Sequence, residues 1–105
     1  MNETRLFLLQ ESASLAITLL KSMSNSNRLL ILCILIDKPG TSSGDLGQLT
    51  GLTPSATSQH LAKMKEDGLI ESARVAQNVN YFIKNDAAKK VISTLKDIYC
   101  PEDFK

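Results

Sequence analysis

Two cysteines, one histidine and no tryptophan leave this chain of 105 residues short of the side chains most catalytic chemistry uses. The lone histidine, His60, has no partner at Cys/His metal-ligand spacing. No Ser-His-Asp set, glycine-rich phosphate loop or paired carboxylates can be assembled, so an enzyme is the reading the residues support least. Charge of one sign is missing as well: 12 basic residues meet 11 acidic ones, a net charge of +1. That balance advertises neither nucleic acid nor an acidic partner, so any DNA binding must come from local geometry. No unbroken apolar run reaches the roughly 18 residues a membrane helix needs. Nor is there the basic-then-apolar order of a signal peptide, because Glu3 precedes Arg5 and Glu11 interrupts the apolar stretch. The expectation is a soluble cytoplasmic protein with no membrane partner, whose thiols are reduced by default.

What is present is helical periodicity with punctuation. The length suits one domain, 1–105, with a modest core. Leu6, Leu9, Ala13, Ile17 and Leu20 recur at helical spacing across residues 3–23. Ser24 and Asn25 break that helix, and Asn25 can cap a second over residues 26–36. The second helix is apolar nearly all round, which predicts a central, buried element. Asp37-Lys38-Pro39-Gly40 ends it. Ser42-Ser43-Gly44-Asp45 is a capping box that opens a short helix, and Gly51 closes it. Thr53 as cap and Pro54 as first helical residue start the next, which runs to about residue 67 and stops at Gly68.

Two short helices joined by Gly51-Leu52-Thr53 make a helix-turn-helix over residues 42–67. Residues 69–75 and 79–83 read as strands around a turn at Ala76-Gln77-Asn78, giving a wing over residues 69–84. A last helix starts near Asp86, a cap candidate, carries the stripe Ala88, Val91, Ile92, Leu95, Ile98 and Tyr99, and stops at Pro101. The fold class is therefore mainly α with a β-hairpin wing, a winged helix-turn-helix in the order α-α-α-α-β-β-α. Helices 1–23 and 86–100 have apolar faces that a second copy would bury, making a homodimer; the plainer alternative is packing within one chain.

The helix after Thr53 sorts its residues by face. Thr57, Leu61 and Met64 lie on one side and point to the core. The other side presents Ser55, Gln59, Lys63 and Glu66, flanked by Ala56 and Ser58. Short residues let a first turn enter the major groove of double-stranded DNA, Gln59 can bond an adenine edge, and Ser55 or Ser58 can reach bases or phosphates. Lys63 suits a phosphate; Glu66 belongs beyond the groove. His60, at the edge of the buried face, suits packing or a phosphate contact. Arg74, Gln77, Asn78 and Asn80 on the hairpin suit phosphate or minor-groove contacts, or form a solvated turn.

Residues 55–64 (SATSQHLAKM), followed by 66–70 (EDGLI), resemble the recognition helix and strand start of the ArsR/SmtB family of bacterial winged-helix repressors. Residues 27–32 (NRLLIL) resemble its second helix, and the likeness runs from about Ala16 to Pro101. It implies a homodimer on a near-palindromic operator, released by an inducer. The metal-sensing signatures of that family are absent: 44–49 (GDLGQL) has no thiol, 86–99 has no histidine, and two thiols make a poor closed zinc site. No metal and no cofactor are expected.

The remaining feature is Cys33, inside the aliphatic run 28–36 (RLLILCILI), and Cys100, in Tyr99-Cys100-Pro101. Taken alone, Cys33 is better explained as a small core hydrophobe. The two phrases together are similar to a thiol-based, persulfide- and redox-responsive subgroup of the family. There the resemblance implies a pair of neighbouring sensing thiols, Cys33 and Cys100, which sulfane sulfur donors convert to a di-, tri- or tetrasulfide bridge. Cys100, near the surface with Lys96 one turn back, is the expected attacker, and the shielded Cys33 its partner. A bridge lengthened by inserted sulfur could span a gap that a disulfide, with Cα atoms about 4.4–6.8 Å apart, cannot. The alternatives are a metal or arsenite sensor using both thiols and a third ligand, and a constitutive DNA-binding protein with inert thiols.

Overall fold

The structure is a computed structural model that describes residues 2–100. Its order is α1 (Glu3–Met23), α2 (Ser26–Asp37), β1 (Thr41–Ser42), α3 (Ser43–Thr50), α4 (Pro54–Glu66), β2 (Ile70–Val75), β3 (Asn78–Ile83) and α5 (Asp86–Tyr99). This is the winged helix-turn-helix expected. Pro101 and the stop assigned to it lie outside the described residues.

The helix boundaries follow from side chains that satisfy the free N–H groups of a first turn. Asn25 accepts from the N–H groups of Asn27 and Arg28, Ser42 from Asp45, and Thr53 from Ala56. Gly51 takes a left-handed φ of 75° where α3 ends. At α5 the cap is Asn85, whose side chain accepts from the Ala88 N–H at 2.8 Å, and Asp86 is the first helical residue. The expected cap was one residue late, because both types carry a suitable oxygen and only the backbone decides between them.

The sheet holds a strand that the sequence did not announce. β1 pairs antiparallel with β3, Thr41 opposite Tyr81 and Ser42 opposite Asn80, so the strand order is β1-β3-β2. Two residues of Thr and Ser show no alternation, and only the partner strand identifies them. The hairpin turn is also tighter than expected: Val75 pairs with Asn78, so Asn78 belongs to β3 and the turn is Ala76-Gln77.

The core is Met23, Ile31, Leu32, Leu35, Leu46, Leu61, Met64, Leu69, Ile70, Ile83, Ala88 and Ile92. It joins α2, the inner face of α4, the sheet and the first turns of α5. α2 is central but not buried all round, since Leu30 is 43% exposed. α1 is different: Leu6, Phe7, Leu8, Leu9, Leu15, Ile17 and Leu20 are all exposed, and it is anchored at its C-terminal end by Ser22 and Met23. By length and composition alone α1 is apolar enough to cross a bilayer. Counting unbroken apolar runs misses this, because Gln10, Glu11, Ser12 and Ser14 interrupt the run without offsetting its leucines, isoleucine and phenylalanine. α5 divides likewise, with Ala88 and Ile92 in the core and Ile98 and Tyr99 exposed at its far end.

Candidate functional site

The reading head is held by one close approach. A Cβ on Gly47 would stand 3.1 Å from the Thr57 hydroxyl oxygen, so a residue without a side chain lets α3 cross tightly over α4. Thr57 is fully buried, and its hydroxyl donates to the Thr53 carbonyl at 2.9 Å. Leu61 and Met64 complete that buried face, as the periodicity predicted. The opposite face therefore points outward, with Ser55, Ser58, Gln59 and Lys63 exposed and Ala56 half-buried. At the hairpin end Arg74, Gln77 and Asn78 are exposed. Asn80 is set further back, half-buried in β3 between Ser42 and Ala73.

Two of these residues are already engaged. The ammonium of Lys63 lies 3.2 Å from the Asp67 carboxylate. The half-buried His60 accepts at Nδ1 from Arg28 Nε at 3.4 Å. Arg28 donates in turn to the Ser22 carbonyl at 3.2 Å, and the Ser22 hydroxyl donates to Asp67 Oδ2 at 2.6 Å. That hydrogen bond holds the Asp67 carboxyl below its ordinary value against a smaller opposing effect of burial, with Lys63 and Arg28 adding to the lowering. A polar chain thus links the end of α1, the start of α2 and the end of α4. Lys65 adds a second tether, donating to the Ser72 hydroxyl at 2.7 Å and fixing α4 to the wing. The bonds of Arg28, Ser22, Asp67 and Lys65 could not be read from the sequence, since their partners lie on other elements.

The thiols occupy the seam between α2 and α5. Both are free and half-buried. Burial pushes the Cys33 thiol up; Lys96 works against this, while Cys100 and Asp37 raise it further. The fold therefore brings two cysteines that are remote in sequence close enough for the charge of one to act on the other. Lys96 lies one turn back from Cys100, as expected, but its side chain turns inward. It is buried, 7% exposed, and its ammonium binds the Asp37 carboxylate and the Cys33 carbonyl, the latter at 3.4 Å. Among the described residues no three His, Cys, Asp or Glu side chains form a group that could hold a metal ion.

With this geometry in place, likeness to known proteins is specific. The family model for bacterial regulatory proteins of the arsR family matches residues 25–72. The chain is 57% identical over 98 residues to the HTH-type transcriptional regulator YgaV of Escherichia coli, covering 93% of this chain and 99% of that protein. Reduced HlyU from Vibrio cholerae is similar at 39% identity with a TM-score of 0.84, covering 89% of this chain and 97% of that one. The transcriptional repressor BigR from Xylella fastidiosa is similar at 26% identity with a TM-score of 0.81, covering 97% and 100%.

Proposed function

The chain belongs to the arsR family of bacterial regulatory proteins, as a winged helix-turn-helix DNA-binding transcriptional regulator and not an enzyme, and from that premise we propose that it is a cytoplasmic, homodimeric repressor released from its operator by reactive sulfur species that bridge Cys33 and Cys100. The observation that carries the reading is the packing of α5 on α2, which brings Cys100 near enough for its charge to act on the Cys33 thiol. The name repressor is carried by the BigR relative.

The exchange uses a persulfide, R–S–SH, as co-reactant. The Cys100 thiolate attacks its outer sulfur, forming Cys100–S–SH and releasing R–S⁻. The Cys33 thiolate then attacks the Cys100 sulfur and expels HS⁻, leaving a disulfide. If a second donor has first made Cys33–S–SH, its terminal sulfur attacks instead, and the bridge contains three sulfurs. In each case the sulfur expelled as HS⁻ takes up the two electrons the thiols lose.

Read-out needs two heads. Exposed Leu15 and Ile17 on α1, and Ile98 and Tyr99 on α5, offer apolar area to a second copy. At Leu15 a groove of about 740 Å³, lined by residues that include Leu15, Leu19, Leu69 and Ala87, opens between α1 and the start of α5. A two-fold pair would set the α4 helices for half-sites about 34–36 Å apart. A bridge that pulls α5 against α2 biases that spacing, and a coupling of about 1–3 kcal/mol gives the usual allosteric range.

The test is operator binding by the reduced protein before and after a persulfide donor, with intact mass read on the same samples. Release with a mass gain or loss confined to the two thiols, abolished in the Cys33→Ser, Cys100→Ser double variant, is expected. Release by zinc or arsenite instead, or a double variant that behaves as the parent, would sink the reading.

A further inference from the structure

Lys96 is charged and buried at once, and a lysine so placed is nearly always paired. Its side chain leaves α5 and crosses the seam to Asp37 and to the Cys33 carbonyl. Both acceptors belong to the last turns of α2, the negative end of that helix's dipole, which favours a cation. On its own helix, the Lys96 carbonyl accepts from the Cys100 N–H at 2.9 Å. One residue is therefore bonded to the backbone of both thiol-bearing positions.

We propose that Lys96 is the positioning residue of the sulfur switch: by gripping Asp37 and the Cys33 carbonyl it holds the end of α5, and Cys100 with it, against α2, and it places a positive charge at the Cys33 backbone. The inference rests on reading the thiol pair as the exchange site. The charge matters because the thiolate, not the thiol, attacks. Of the charged groups that act on Cys33, Lys96 from α5 favours the thiolate, whereas Cys100 from α5 and Asp37 from α2 disfavour it. Asp37 therefore has two opposed effects. It anchors the lysine, and its own charge works against the thiolate the lysine supports.

These opposed signs make the test. In the full chain carrying Cys100→Ser, Cys33 is the only thiol, and its alkylation by iodoacetamide can be followed by intact mass across a pH series. Lys96→Met should move the reactivity midpoint up and slow alkylation about threefold or more below it. Lys96→Arg, which keeps the charge, should lie closer to the parent. Asp37→Asn removes the opposing charge while its side-chain oxygen still accepts from the Lys96 ammonium, so it should move the midpoint down. A lysine that only fills space would leave all three profiles superimposed, and that result, or Lys96→Met and Asp37→Asn shifting the same way, overturns the proposal. Should Lys96→Met not fold by circular dichroism, Asp37→Asn decides, an unchanged or raised midpoint being fatal. Iodoacetamide needs no persulfide, so the outcomes separate: superimposed profiles with intact donor-driven release overturn the role of Lys96 alone, and shifted profiles with no donor-driven release overturn the function proposed above.

Discussion

The Ser22 hydroxyl donates to the Asp67 carboxylate at 2.6 Å, joining the last turn of α1 to the cap of α4. α1 is the helix with the most exposed apolar surface, and α4 presents the candidate DNA-reading face. In the proposed dimer a shift of α1 would reach α4 through this short, charge-assisted bond as well as through the core packing of Met23.

Asp67→Asn tests that bond by titration. The folded-state value of Asp67 is depressed, so its contribution is present at neutral pH and is lost as pH falls through the folded value, below the ordinary 3.8. The melting temperature of the Asn variant should fall less steeply than the parent's on the acid side of about pH 4. Parallel acid slopes for the two proteins would show that the carboxylate contributes nothing.

Gly47→Ala should destabilise despite alanine's better helix propensity. The added Cβ meets the Thr57 hydroxyl at 3.1 Å, and that hydroxyl is buried and held by Thr53, so it cannot yield freely. Overpacking of this kind costs about 1–3 kcal/mol. Adding Thr57→Ala removes the obstructing oxygen, so the double variant should lose less than the sum of the singles in urea melts. Strict additivity would argue that the two helices relax apart.

Ala76→Gly should stabilise the wing. Ala76 has φ 56°, the left-handed region, at the first position of a two-residue hairpin turn. Glycine takes that region without steric cost. The gain should be up to about 1 kcal/mol, glycine's greater unfolded freedom offsetting part of the relieved strain. A lower melting temperature for the variant would contradict this.

Gln59→Ala and Arg74→Ala should weaken operator binding in different ways. Loss of a base contact by exposed Gln59 should cost about 1–3 kcal/mol and relax preference at one base pair. Loss of a phosphate contact by exposed Arg74 should weaken all sequences alike and reduce the salt slope by about one. Fluorescence anisotropy on operator and scrambled duplexes across a salt series reads both effects. An Arg74→Ala slope equal to the parent's would remove the wing arginine from the interface.

The sequence by itself determined where the first four helices begin and which face of α4 is inward. Asn25, Ser42, Thr53 and Gly51 act through bonds or backbone angles a few residues away, and Thr57, Leu61 and Met64 share a face by helical geometry alone, so local reading suffices. What only the tertiary structure decided are the pairings between remote segments. β1 exists because Tyr81 and Asn80 lie opposite it, and Lys96 turned inward because Asp37 and the Cys33 carbonyl ended across the seam. Cys33 and Cys100 could be named as a pair only through family resemblance, since no spacing along the chain encodes which faces of α2 and α5 will meet. Periodicity records burial, whereas a contact between distant side chains depends on how whole elements cross, and that is settled by the core they share.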